Sequence, residues 1–260
     1  MIHYHGLPIT NQGATAAVAA INAGHAFISF RSPEQLSLAL EICQSFAVDN
    51  GAFSAWKSGK PVTDWSRYYA WVGGLHRVPT FDFAVIPDVI DGDEAANDEL
   101  LEEWPWRTTA PWIGAPVWHM HESIERLVRL ANTFPRVCIG SSGEFAAVGN
   151  ARWWDRMAEA MNAICDRSGL PICKLHGLRM LNPDVFSRLP FASADSTNIA
   201  QNIGIDSAWR GTYAPPSKEA RAWVMRQRIE SVQSMTFWRK QEIQESLLRD
   251  LLSPKEKCAL

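Results

Sequence analysis

Long apolar runs are missing from this chain. Nowhere do about 18 apolar residues follow one another, so no segment offers a membrane-spanning helix. The opening Met1-Ile2-His3-Tyr4-His5 also lacks the basic stretch and apolar core of a secretory leader, and the chain reads as cytoplasmic with no membrane partner. Cysteines are few. The five of them, Cys43, Cys138, Cys165, Cys173 and Cys258, are odd in number, widely spaced and mostly set in apolar segments, which argues against a disulfide framework. With no C-x-x-C pair there is no zinc knuckle, and no metal or other cofactor is expected. No Gly-Lys-Ser/Thr phosphate loop and no G-x-G-x-x-G fingerprint occurs, which leaves nucleoside triphosphates and dinucleotides without their usual cradle. Internal repeats and low-complexity linkers are absent as well.

What the chain does have is apolar mass: 47% hydrophobic residues and 12 Trp among 260 residues, ample for a substantial core. Eight apolar segments of three to five residues recur along it: 2–5, 26–30, 46–48, 83–86, 116–119, 137–140, 172–176 and 191–194. Runs of that length suit strands buried on both faces of a parallel sheet. Helical stretches lie between most of them. Ser32-Pro33-Glu34-Gln35 reads as a cap and first turn before an apolar run from Leu36 to Ile42. Further helices are expected over about 64–72, 93–103, 123–133, 151–168 and 183–189. Strands alternating with helices imply a parallel sheet, and a count of eight matches a closed (β/α)8 TIM barrel, with an open sheet as the alternative. The expected organisation is a barrel over 1–210 and a helical extension over 211–260 packed on it, with one long charged helix from about 217 to 252.

The net charge of −3 hides an asymmetry. Residues 88–103 carry eight acidic and no basic side chains, whereas 210–240 hold Arg210, Lys218, Arg221, Arg226, Arg228, Arg239 and Lys240 against Glu219 and Glu230. Such a basic run suits nucleic-acid phosphates, although a helix with a solvated basic face is the more frequent explanation.

In a barrel of this kind the active site forms where the strands end, so the polar residue after each apolar run is the candidate. His5, Asp49, Asp88, His119, His121, Ser141 to Glu144, His176 and Asp195 all fall there, a density that points to an enzyme. Two carboxylates from separate strands, in Val48-Asp49-Asn50-Gly51 and Ala194-Asp195-Ser196, suit acid/base or nucleophilic chemistry at a sugar. Asp-Asn-Gly also favours an Asx turn capping the next helix, and on the tripeptide alone that is the simpler account. Gly140-Ser141-Ser142-Gly143-Glu144 lets backbone amides approach a flat polar ligand, or is only a tight strand-to-helix turn. His5, His119, His121 and His176 with an aspartate leave a metal-dependent hydrolase open as an alternative. A barrel that only binds nucleic acid is a third reading.

Taken in order, these segments resemble motifs of the tRNA-guanine transglycosylase superfamily, and more closely its small DNA-acting branch, the 7-deazaguanine DNA transglycosylases of phages and bacterial genomic islands. Asp49-Asn50-Gly51-Ala52-Phe53-Ser54 is similar to the family's Asp-Ser-Gly-Gly-Phe-Gln, and Ile139-Gly140-Ser141-Ser142-Gly143-Glu144 to its Ile-Gly-Gly-x-x-x-Gly-Glu loop. Asp195 falls where the family places its nucleophile, with Pro87-Asp88 and His176-Gly177-Leu178-Arg179-Met180 between at suitable strand ends. The resemblance spans about residues 46–198. It implies exchange of guanine in DNA for a 7-deazaguanine base such as preQ0, with Asp195 as nucleophile, Asp49 as proton-transfer partner and no cofactor. Phe53 and Met180 would sandwich the base, Asp88 would accept from its amino-pyrimidinone edge, and His119, His176 and the Gly140, Ser141, Ser142, Gly143 loop would complete the base site. Arg210, Lys218, Arg221, Arg226 and Arg228 would contact the DNA backbone, in a host cytoplasm if a phage encodes the chain. The Cys-x-Cys-x-x-Cys zinc site of the tRNA enzymes has no counterpart, which favours DNA over tRNA, and Ser141 stands where the loop has its second glycine.

Overall fold

The computed structural model describes residues 1–9, 14–209 and 214–239. The chain alternates strands and helices: β1 (Ile2–Leu7), α1 (Ala14–Ile21), β2 (His25–Ser29), α2 (Leu36–Ile42), β3 (Ser45–Asp49), α3 (Ala52–Lys57), α4 (Ser66–Leu75), β4 (Phe81–Val85), α5 (Glu94–Glu103), β5 (Gly114–Ala115) and β6 (Val117–His119). It continues with α6 (Ile124–Thr133), β7 (Arg136–Gly140), α7 (Ala151–Ile164), β8 (Lys174–Gly177), α8 (Pro183–Phe186), β9 (Ser193–Ser196), α9 (Asn198–Asn202) and α10 (Lys218–Glu230).

All strand pairs are parallel, in the order β5-β4-β3-β2-β1-β9-β8-β7-β6. The two ends of that sheet, β5 and β6, are separated in the chain by Pro116 alone. Proline has no N–H to give the ladder, so one strand is interrupted there, while its carbonyl still accepts the Cys138 N–H at 2.8 Å. Ala115 and Val117 both join the interior cluster, so the inward alternation runs through the break. The result is a (β/α)8 barrel, as expected, with its fifth strand split.

Helices coat the outside because their apolar residues recur on one face. In α6, Leu127, Leu130 and Ala131 are buried, and in α7 Trp153, Met157, Ala160, Met161 and Ile164. Ser123 caps α6 by accepting the Arg126 N–H, and Asp93 caps α5 by accepting the Ala96 N–H. Ser32 makes no side-chain cap. Pro33 instead starts a short 3-10 turn over 33–35, and α2 proper begins at Leu36. α4 lies two to three residues later than expected. α7 stops at Ile164 rather than Ser168, because Cys165 turns extended and Asp166 Oδ1 accepts the N–H groups of Ser168 and Leu170. α8 is likewise shorter, ending at Phe186.

The barrel interior holds Tyr4, Phe27, Ala47, Phe83, Val85, Ala115, Val117 and Cys138. Between Phe46 and Val48 the β3–β4 register slips: two steps on β3 face three on β4, from Phe81 to Ala84. The bulge turns both Asp82 and Phe83 inward. Asp82 accepts the Tyr4 hydroxyl at 2.5 Å and both guanidinium arms of Arg136 at 2.8 and 3.0 Å, and that guanidinium lies 4.0 Å over the Phe83 ring. These groups close the N-terminal end of the barrel.

α10 packs on α1 through Ala222, Met225 and Ile229. Its helix ends at Glu230, not near 252. The chain beyond is drawn into bonds with the barrel's underside: the Val232 carbonyl pairs with His3 Nε2 at 2.9 Å, Ser234 Oγ donates to the Phe191 carbonyl, and Trp238 N–H donates to the Gly169 carbonyl. The 240–252 part of the expected helix lies outside the described residues. No helix among the described residues is long and apolar enough to cross a membrane.

Candidate active site

Because strand side chains alternate, the last inward residue of each strand lands at the C-terminal mouth. Ser29 of β2, Asp49 of β3, His119 of β6, Gly140 of β7 and Asp195 of β9 arrive there by that rule, and together with Asp88 after β4 they line one cavity of about 560 Å³. Phe53 and Ser141 also line it.

The Asp49-Asn50-Gly51 segment is both a turn and a site. Gly51 takes φ +80°, a region that glycine reaches without strain. Asp49 Oδ2 accepts the Gly51 N–H at 3.0 Å and the Ser29 hydroxyl at 3.4 Å, and Asn50 Oδ1 accepts the Ala52 N–H at 2.7 Å, opening α3. The Asn50 amide then donates to the Ile86 carbonyl at 2.9 Å and to Asp88 Oδ1 at 2.8 Å, fixing the second carboxylate. The other Asp88 oxygen lies 2.9 Å from His119 Nε2, outside hydrogen-bond alignment. Asp49 touches the cavity but is otherwise enclosed by protein. Burial, and then the charges of Asp195 and Asp88, push it up to about 7, although the Gly51 N–H and Ser29 hydroxyl oppose this.

Asp195 is held differently. Its Oδ1 accepts the Arg179 N–H at 2.8 Å, and Arg179 keeps φ at +57° to make that bond. His176 Nε2 lies 3.3 Å from the same oxygen, while His176 Nδ1 pairs with Ser193 Oγ at 2.8 Å. The His176 ring is fully buried against Phe27, and burial lowers its pKa, so the imidazole is neutral at pH 7.

Not every expected residue reaches the cavity. Met180 is fully buried in the core beneath, because β8 ends at Gly177 and the left-handed turn at Arg179 breaks the alternation that would have carried it inward; Leu178 and Arg179 take the wall instead. His176 stands under the floor. Ser142 is buried with its hydroxyl on His121 Nδ1 at 2.8 Å, and Gly143 packs on the His121 side chain, so only Gly140 and Ser141 of that loop face the cavity. Sequence reading passed over Asn50, Arg31, Lys57, Leu178 and Arg179. Counting by twos from His176 would have found Leu178, whereas the left-handed turn at Arg179 has no signature in an arginine.

The histidines do not gather into one set: His119 and His121 stack at 5.6 Å, but His5 points outward to Glu230 at 3.1 Å rather than to the mouth, the His121 nitrogens turn to Ser142 and the Gly92 carbonyl, and His176 lies inside. Among the described residues no three His, Cys, Asp or Glu side chains are grouped to hold a metal ion. None of Lys218, Arg221, Arg226 and Arg228 lines the cavity. Arg221 donates to the Pro215 carbonyl, Arg226 to Glu230 and the Asn22 carbonyl, and Arg228 to Asp206. Arg210 lies outside the described residues. Compared with protein-family models, with curated proteins and with solved structures, the chain matches none.

Proposed function

We propose that this barrel exchanges guanine in DNA for a 7-deazaguanine base such as preQ0, through a covalent glycosyl-aspartate at Asp195. The observation that carries this reading is the contrast between two inward carboxylates on one cavity: Asp49, pushed up to about 7, and Asp195, its oxygen fixed by the Arg179 N–H. Paired carboxylates in unlike environments divide acid and nucleophile between them.

In the forward half, Asp195 attacks C1′ of the target deoxyguanosine as the C1′–N9 bond breaks. Protonated Asp49 delivers its proton to the departing guanine and becomes a carboxylate. In the second half the incoming base gives its N9 proton back to Asp49 while N9 attacks C1′ and expels Asp195. Protons balance, with no external reagent. Asp88, fixed by Asn50, accepts from the ring N–H and amino group of the base. Phe53 offers a stacking face, and neutral His176 stands 3.3 Å from Asp195 Oδ1 beneath the floor.

The test is incorporation of radiolabelled guanine or preQ0 into DNA and, in parallel, into tRNA by wild type and Asp195→Ala. Incorporation into DNA that disappears in the variant is expected. Incorporation into neither polymer by the wild type overturns the reading.

A further inference from the structure

The cavity is polar in a directed way. Its floor carries the carboxylates of Asp49, Asp88 and Asp195, the last two buried, whereas its walls near solvent carry exposed Arg31, Lys57 and Arg179. Among the described residues none of these three cations is paired with a carboxylate, in contrast to Arg226 and Arg228 of α10, which already hold Glu230 and Asp206. Beside the cations stands an aromatic ladder. The Arg179 guanidinium lies 3.8 Å over Phe53, the Phe53 ring is 5.8 Å from that of Trp56, and Trp56 is 41% exposed one residue before Lys57.

A chain of net charge −3 has no general attraction for a polyanion, so strand binding needs a local group of free cations. The mouth gathers three of them around the cavity, whereas on α10 Arg226 and Arg228 are paired and Arg221, bonded to the Pro215 carbonyl, stands away from the cavity. We propose that the rim formed by Arg31, Phe53, Trp56 and Lys57 is the strand-binding surface. Arg31 and Lys57 hold the phosphates flanking the nucleotide in the cavity, and Trp56 stacks on the adjacent unpaired base. The polymer it fits is single-stranded or locally opened nucleic acid, because an aromatic face engages a base only when its partner strand is displaced. The proposal rests on the base-exchange reading only for which nucleoside enters the cavity; where the strand lies is measured by binding alone.

The experiment is fluorescence anisotropy of a labelled single-stranded 12-mer DNA with one central guanine, titrated at several KCl concentrations. Wild type is compared with Arg31→Gln, Lys57→Gln, Trp56→Ala and Arg228→Gln. Each lost phosphate contact should flatten the plot of log affinity against log salt by about 0.7 in the Arg31 and Lys57 variants. Trp56→Ala should weaken binding by roughly 5- to 150-fold with the slope retained. A flattened slope in Arg228→Gln with none in the rim variants overturns the proposal in favour of α10, and tighter duplex binding that ignores Trp56→Ala overturns the single-strand assignment. Rim-dependent binding by a wild type that exchanges no base would leave the surface standing and remove the base-exchange reading. Active exchange with unchanged rim slopes would do the reverse.

Discussion

Asp49→Asn should make this protein more stable while abolishing exchange, and the gain should depend on pH. The unfolded chain releases the Asp49 proton near 3.8 and the folded chain near 7, so between those values the folded state holds the extra proton. For such a raised carboxylate, the stability is fully present below 3.8 and is lost as pH rises through about 7. A rise of about three pH units at about 1.36 kcal/mol each bounds the loss at about 4 kcal/mol. The carboxylate meets the cavity, where water screens it, and about 2 kcal/mol is the working figure. Asparagine keeps the oxygen that accepts the Gly51 N–H but never ionises. Urea unfolding at pH 4.5, 6 and 8 should therefore give a variant close to wild type at the lowest pH and about 2 kcal/mol more stable at the highest. A variant no more stable than wild type at pH 8, or offset by the same amount at every pH, would refute the reasoning.

On the base-exchange reading the same proton governs rate. Formation of the glycosyl-aspartate intermediate, followed in single turnover by trapping on denaturing gels, should fall as pH rises through about 7, and a rate still climbing at pH 9 would remove Asp49 from the acid role. Behind the site, buried Glu122 accepts the His119 N–H at 2.8 Å, Arg126 Nη1 at 2.7 Å and the Asn97 amide at 3.0 Å, and burial raises its pKa in spite of these partners. Glu122→Leu should cost about 3 kcal/mol by taking the buried acceptor from the Arg126 guanidinium and the Asn97 amide, with only Asp98 and the Val117 carbonyl left on Arg126, and Glu122→Leu with Arg126→Met should cost less than the single change; a denaturant double-mutant cycle with additive losses would contradict this. At φ +57°, Arg179→Gly should shift stability by under about 1 kcal/mol, whereas Arg179→Val should cost about 2 kcal/mol more, as read from thermal midpoints.

The strands were legible because burial on both faces leaves short, continuous apolar runs, and all eight runs fall within or beside observed strands. Helices with side-chain caps, such as α5 from Asp93 and α6 from Ser123, were legible at their starts for the same local reason. α1, α3 and α9 were not. α1 is Ala-rich without polar alternation, and α3 and α9 are of six and five residues, too short for a period to show. The end of α10 was hidden because tertiary bonds to His3 and Phe191, not local propensity, draw the chain away. Asp49, Asp88, His119 and Asp195 were found by position after strands; Met180 was misplaced because the strand stops at Gly177 and the left-handed turn at Arg179 carries Met180 into the core.

Burial alone does not separate carboxylates open to a ligand from structural ones, and this barrel holds one of each kind at its two ends. Asp82 also suffers desolvation, yet hydrogen bonds and charge from Arg136 and the Tyr4 hydroxyl hold its pKa below the usual range. Both of its oxygens are engaged by Arg136, and one of them also by Tyr4. Among the described residues no cation is bonded to Asp49; a backbone N–H and a weakly placed hydroxyl are its partners, and burial and then its acidic neighbours push it upward. A barrel fold hosts many chemistries and by itself argues for none. What favours proton transfer here is that the expensive, incompletely partnered carboxylate lies at the open end, against a second carboxylate held by a strained arginine, while the saturated one seals the closed end. Exchanging those environments would leave the same fold, the same composition and no reason to expect chemistry.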